Sequence, residues 1–141
     1  MFLLDTVVVS EIRRPRADRG VMAWFSSVSS SDLFLSTITI CEIEIGIEKQ
    51  RNDNRQFAAE LDQWLDITLR TFADRILSLD VTTARRWGIL SARVGNKGLD
   101  LAIAATAIEH GLVIVTRNVD DFTPTGVQVI NPFTPMPRKR R

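Results

Sequence analysis

Short apolar runs take turns with longer amphipathic stretches from one end of this chain to the other. Phe2-Leu3-Leu4, Leu33-Phe34-Leu35-Ser36, Ile76-Leu77-Ser78-Leu79, Leu112-Val113-Ile114-Val115-Thr116 and Val127-Gln128-Val129-Ile130 lack a helical period. Such runs suit strands of a parallel sheet covered on both faces. Between them the apolar residues recur at helical spacing. The first run leads into a helix over Val7–Arg14, stopped by Pro15. Asp18 opens a stretch carrying Val21, Met22, Trp24, Phe25 and Val28, and Ser29–Asp32 reads as a turn. After the second run, Thr37 or Thr39 can cap a helix reaching about Gln50, with Ile40, Ile43 and Ile47 one turn apart. Arg51-Asn52-Asp53-Asn54 reads as a polar connector before a long helix with Phe57, Leu61, Trp64, Leu65 and Leu69 on one side. Thr82 and Thr83 begin a helix holding Ala84, Trp87, Leu90 and Val94, and residues 95–98 read as a loop. Asp100 stands at the start of an alanine-rich helix, Leu101–His110, which Gly111 ends.

Strand and helix alternate throughout, with no repeat and no linker. The alternation predicts an α/β fold, a single-domain three-layer sandwich with a mostly parallel sheet of about five strands and helices on both faces. The domain is expected over residues 1–133, followed by a basic, flexible tail over 134–141.

Composition narrows the chemistry. The 141 residues, 45% hydrophobic and 25% charged, can bury a core without staples. Cys41 is the only cysteine and His110 the only histidine. An internal disulfide, a cysteine or histidine zinc site and a two-histidine acid/base pair are thereby excluded. Cys41 is expected to be a small buried residue, His110 to serve a helix end, and Trp24, Trp64 and Trp87 to pack in the core or against a partner. The net charge of +1 exerts no overall pull on nucleic acid, so any such binding rests on local patches. Arg13, Arg14 and Arg16 form one, read as a guide for an RNA backbone, a contact for an acidic partner or a solvated face; Pro137–Arg141 form another. Asp5 near the N-terminus and the lack of a basic leader argue against a signal peptide, and no apolar run approaches about 20 residues. A cytoplasmic protein with no membrane contact is expected.

Ligands of open parallel sheets bind beyond the C-terminal strand ends. Asp5 and Thr6 follow the first run, and Ser36 and Thr37 the second, with Glu42 one turn further on. Thr116, Asn118, Asp120 and Asp121 follow the fourth, and Asp100 heads the helix feeding it. Neither lysine nor histidine joins them. Carboxylates gathered without bases repel one another unless a hard divalent cation binds their oxygens. Such an ion polarises a phosphoryl oxygen and activates water, which is equipment for phosphodiester hydrolysis. Taken singly, Asp5 and Asp100 read better as helix N-caps, Glu42 equally as a solvated position, and one of Asp120 and Asp121 as a surface turn residue; the convergence of these acids on one sheet edge favours the site.

Met1–Thr6 and Leu33–Ile43 resemble the opening motifs of PIN-domain proteins. Asp100–Ala107, Val115–Phe122 and Val129–Phe133 resemble the later motifs, in order and over nearly the whole chain, with the nearest likeness to the VapC/FitB group of toxin–antitoxin nucleases. The resemblance implies a Mg²⁺- or Mn²⁺-dependent endoribonuclease, a homodimer, inhibited by a small cognate antitoxin. It implies that Asp5, Glu42 and Asp100 form the acidic triad, with Asn118 at the fourth acidic place and Asp121 as its substitute. Thr6 and Thr116 are supporting residues in this reading. Val7 departs from the family, which commonly has asparagine there. Loss of that polar partner predicts a weakened enzyme, by about 10–100-fold, or a PIN-fold protein that binds without cutting. A receiver-type phosphorylation switch shares the acids and the fold but needs a lysine after a late strand, where this chain has Arg117.

Overall fold

A computed structural model describes residues 1–95 and 98–135. Asn96 and Lys97 of the predicted loop, and residues 136–141 of the predicted tail, lie outside the described residues.

Five strands, β1 (Phe2–Leu4), β2 (Leu33–Ser36), β3 (Ile76–Leu77), β4 (Val113–Val115) and β5 (Val129–Ile130), form one sheet in the order β3-β2-β1-β4-β5. Every neighbouring pair is parallel, with Leu3 opposite Phe34 on one side and Ile114 on the other. The α/β expectation therefore holds, with a sheet that is wholly parallel where described. Seven helices among the described residues supply the outer layers: α1 (Thr6–Arg13), α2 (Arg19–Ser27), α3 (Thr37–Asp53), α4 (Arg55–Phe72), α5 (Val81–Val94), α6 (Asp100–His110) and the single turn α7 (Val119–Phe122).

Strand side chains alternate between faces, so adjacent residues feed two separate cores. Leu4, Leu33, Leu35 and Val115 pack with Val8, Val21, Ile43, Ile47 and Leu65 of α1–α4. Leu3 and Ile114 pack on the other face with Leu90, Ile103, Ala104 and Phe122 of α5–α7. Leu3 and Leu4 are both fully buried. Each contributes about 1.5–3 kcal/mol by leaving water, which is why an apolar pair suits the central strand.

Several boundaries differ from the expectation for local reasons. Ser36, not Thr37 or Thr39, caps α3, accepting from the Thr39 amide at 3.1 Å. The helix runs through the polar residues 51–53 because Arg51 bonds Glu48 at 2.7 Å and reaches Asp62 of α4 at 2.6 Å. Asn54 alone joins the two helices, donating its amide to Gln50 O and accepting from the Phe57 amide. Asp80 caps α5, which begins at Val81, one residue before the threonines expected to begin it. Cys41 is exposed on α3 rather than buried, one position before Glu42. Gly111 ends α6 at φ +64°, as expected. Among the described residues no helix is long and apolar enough to cross a membrane.

From β1 the chain steps outward to β2 and β3, then crosses back over β1 to β4 and continues to β5. The winding direction reverses between β1 and β4. This is where a parallel sheet leaves a crevice at its C-terminal edge.

Candidate active site

Asp5 leaves β1 at that crevice and is 4% exposed. Its amide donates to Val115 O of β4 at 3.0 Å, which locks its backbone against the neighbouring strand. Its carboxylate accepts from the Thr6 amide at 2.8 Å and from Thr116 Oγ1 at 2.8 Å. Thr116 is fully buried, and its oxygen also accepts from the Asn118 amide at 3.0 Å. One hydroxyl thus holds the acid and the loop after β4 together. The N-cap reading and the site reading of Asp5 are both realised: it precedes α1 and bonds the first helical amide.

A second polar chain positions Glu42. Thr6 Oγ1 donates to Glu42 Oε1 at 2.8 Å and lies 3.2 Å from Thr39 Oγ1. Thr39 is fully buried, and its own oxygen lies 3.5 Å from Ser36 Oγ. Ser36, Thr39 and Thr6 therefore link the ends of β2 and β1 and carry Glu42, which is half-buried, toward Asp5. Thr39 went unrecognised in the sequence except as a cap. Its signal was the run of short hydroxyl residues after β2.

Electrostatics tie the remaining acids to the same place. The Asp5 carboxyl is held above its ordinary range, mainly by burial, with the Thr116 and Thr6 bonds opposing and Glu42 and Asp121 adding repulsion. Asp100, half-buried in the first turn of α6, is also pushed up, first by burial and then by Asp5 and Asp121. Asp100 is not an N-cap: Leu99 holds that position, without a side-chain bond. Asp5, Glu42, Asp100 and Asp121 thus share one field. Asn118 takes part through its backbone, while its exposed side chain lines an open cavity with Arg117, Asp120, Asp121 and Asn131.

The ion pairs found among the described residues join Arg14–Glu11, Arg51–Glu48, Arg51–Asp62 and Arg86–Glu109; none involves these four acids. Every group offered to the centre is an oxygen, which is the donor chemistry of a hard divalent cation. Among the described residues no three such side chains are gathered tightly enough to cage an ion alone. A Mg²⁺ site requires only one or two direct carboxylates, with water filling the other positions. The residues fit the ion in the chemistry of their donors. Val7, the departure noted above, lines a separate cavity with Ser10, Glu11, Arg13, Arg14, Arg117 and Phe133.

Comparison with known proteins gives an independent reading. The PIN domain model matches residues 2–125. The chain is 33% identical to the VapC ribonuclease Y4jK of Sinorhizobium fredii, over 96% of this chain and 99% of that protein. It is 34% identical to the toxin FitB of Neisseria gonorrhoeae, over 94% and 99% respectively. Among solved structures, FitAB bound to an IR36 DNA fragment superposes with a TM-score of 0.83 at 32% identity, covering 98% of this chain and 99% of that one.

Proposed function

The chain belongs to the PIN-domain family, and from that premise we propose that it is the ribonuclease toxin of a toxin–antitoxin pair. In this reading residues 1–133 form a cytoplasmic endoribonuclease domain, active as a homodimer, that cuts RNA phosphodiesters with Mg²⁺ or Mn²⁺ and is held in check by a small cognate antitoxin. One observation carries the proposal: a buried aspartate, bonded to an amide and a hydroxyl, faces three further acids, and among the described residues no basic side chain is ion-paired with any of them. The names of the relatives, a VapC ribonuclease and a FitB toxin, support the activity and the biological setting.

Asp5 and Asp100 are the residues we assign to hold the ion, with Glu42 and Asp121 completing the negative field and the Asn118 side chain at its rim. The ion, when bound, supplies positive charge that offsets the scissile phosphate and lowers the pKa of water. The chain itself supplies position. Thr116 fixes one Asp5 oxygen and the Thr6 amide the other, so the carboxylate cannot rotate. Thr6, backed by Thr39 and Ser36, fixes Glu42 from the opposite side. A carboxylate so oriented can accept a proton from attacking water within hydrogen-bond reach.

The deciding experiment is cleavage of defined RNAs with and without added Mg²⁺ or Mn²⁺, in the parent chain and in Asp5→Asn and Asp100→Asn. Metal-dependent cleavage lost in both variants, with folding intact, is the expected result. Retained cleavage in both sinks the site. Antitoxin binding without cleavage at any metal concentration supports instead the non-cutting reading that Val7 and Asn118 favour.

A further inference from the structure

Beside the carboxylate centre lies a cavity of opposite character. Its volume is about 190 Å³, and Arg13, Arg14 and Arg117 all reach it. Thr6, Ser10 and Arg13 stand at i, i+4 and i+7 on α1, so they share one helix face. That face leads from the Thr6–Glu42 bond to Arg13, and Thr6, Ser10, Arg13 and Glu42 line one continuous recess. On the other side, Arg117 directly follows Thr116, the hydroxyl bonded to Asp5. Arg117 therefore lines both the arginine cavity and the cavity of Asn118 and Asp121.

The charges in this cavity are unevenly spent. Arg14 is paired with the buried Glu11 at 3.2 Å. Among the described residues, Arg13 and Arg117 have no carboxylate within ion-pair distance. Each lies over aromatic rings instead. The Arg13 guanidinium is 5.4 Å from the Phe57 centroid and 5.9 Å from that of Trp64, and the Arg117 guanidinium is 4.0 Å from that of Phe133. A ring orients a guanidinium without neutralising it. Both groups keep planar donors suited to phosphate oxygens. Three guanidiniums against one carboxylate give the cavity a net positive charge. The four acids next to it repel an approaching polyanion, and a chain of net charge +1 offers no overall attraction.

We infer that Arg13 and Arg117 form a phosphate subsite that grips an RNA backbone phosphate flanking the bond to be cut. The inference rests on the ribonuclease reading and deepens it. The subsite places the strand across the acidic centre, whereas the centre performs the chemistry.

Binding of a labelled single-stranded RNA to the full chain, carrying Asp5→Asn so that the strand stays whole, tests this directly. The slope of log affinity against log salt reports phosphate contacts, at about 0.7 per contact for a single strand. Arg13→Gln and Arg117→Gln combined are expected to lower the slope by about 0.7, the one phosphate contact, and each alone by part of that. Arg13→Lys and Arg117→Lys, which keep the charge, are expected to restore it. Arg86→Gln, whose charge already belongs to Glu109, is expected to leave it unchanged. Thermal unfolding of each variant separates lost contact from lost fold. Slopes equal to the parent's in correctly folded Gln variants overturn the subsite. So does an unchanged slope accompanied by weaker binding of an acidic protein segment, which assigns the cavity to a protein partner. Failure of the ribonuclease reading shows itself separately, as absence of metal-dependent cleavage by the chain without Asp5→Asn.

Discussion

Replacing Asp5 by asparagine removes a charge while keeping the shape, and the effect on stability follows from its surroundings. The carboxylate accepts two bonds of 2.8 Å, from the Thr6 amide and from Thr116 Oγ1. Bonds to a charged group are worth about 1.5–3 kcal/mol each, against about 0.5–1.5 kcal/mol for neutral ones. Asparagine keeps one oxygen acceptor, and its amide group can donate to the Thr116 oxygen, so the bonds weaken without vanishing. Their weakening costs about 1–3 kcal/mol in total. Against this stands the relief of a buried charge and of the repulsion from Glu42 and Asp121. The raised pKa of Asp5 means that these unfavourable effects outweigh the bonds in the parent. The folded state therefore holds the Asp5 proton longer than the unfolded chain, whose carboxyl ionises near 3.8. The resulting instability is absent below that pH, grows as pH rises through the folded pKa, and is constant above it. Urea denaturation of parent and Asp5→Asn in EDTA, from pH 3 to 8, measures the difference. The variant is expected to gain on the parent as pH rises and to level off, each gain of about 1.36 kcal/mol marking one pH unit of displacement. A variant that loses ground with rising pH refutes the reasoning, because it means that the fold stabilises the Asp5 carboxylate.

Thr116→Val removes the shared hydroxyl and leaves the Asn118 amide without its acceptor. Stability is expected to fall by about 1–3 kcal/mol in thermal melts, whereas Thr116→Ser retains most of it. Cleavage by the Val7→Asn variant is expected to rise about 10–100-fold if the missing polar partner weakens the centre, and no gain over the parent removes that explanation. Mg²⁺ at one hundred times its dissociation constant is expected to stabilise the fold by about 2.7 kcal/mol in calorimetry, an effect reversed by EDTA and absent from the Asp5→Asn, Asp100→Asn double variant. Gly20→Ala puts a methyl group 2.4 Å from Pro132 O and 2.9 Å from the Thr134 amide, so the C-terminal strap must shift. A loss of about 1–3 kcal/mol in urea titration is expected, with cleavage chemistry untouched.

The apolar runs by themselves located the five strands, because a strand covered on both faces is built mainly from apolar residues; β3 and β5 are shorter than their runs, at Ile76–Leu77 and Val129–Ile130. Phe2-Leu3-Leu4 and Val113-Ile114-Val115 could be read without any neighbour. Glycine at 111 and the aspartate at 18 likewise declared helix ends, since left-handed backbone and free amides are local needs. Local signals misjudged residues 51–54, where polar character suggested a break. An arginine bridging α3 and α4 keeps the first three helical, and that contact exists only between packed helices. Cys41 was misplaced for a related reason: which face of α3 meets the sheet is set by packing, and its apolar neighbours did not reveal it. The acids of the site were legible as residue types after strand ends. Their meeting was decided by the crossover from β3 back over β1, which sets β4 beside β1 and brings Thr116, 111 positions away, within 2.8 Å of Asp5. Tertiary structure alone also divided the arginines, pairing Arg14 with Glu11 and leaving Arg13 and Arg117 on aromatic faces. Charge is written in the sequence, but whether it is neutralised depends on what the fold places within a few ångströms.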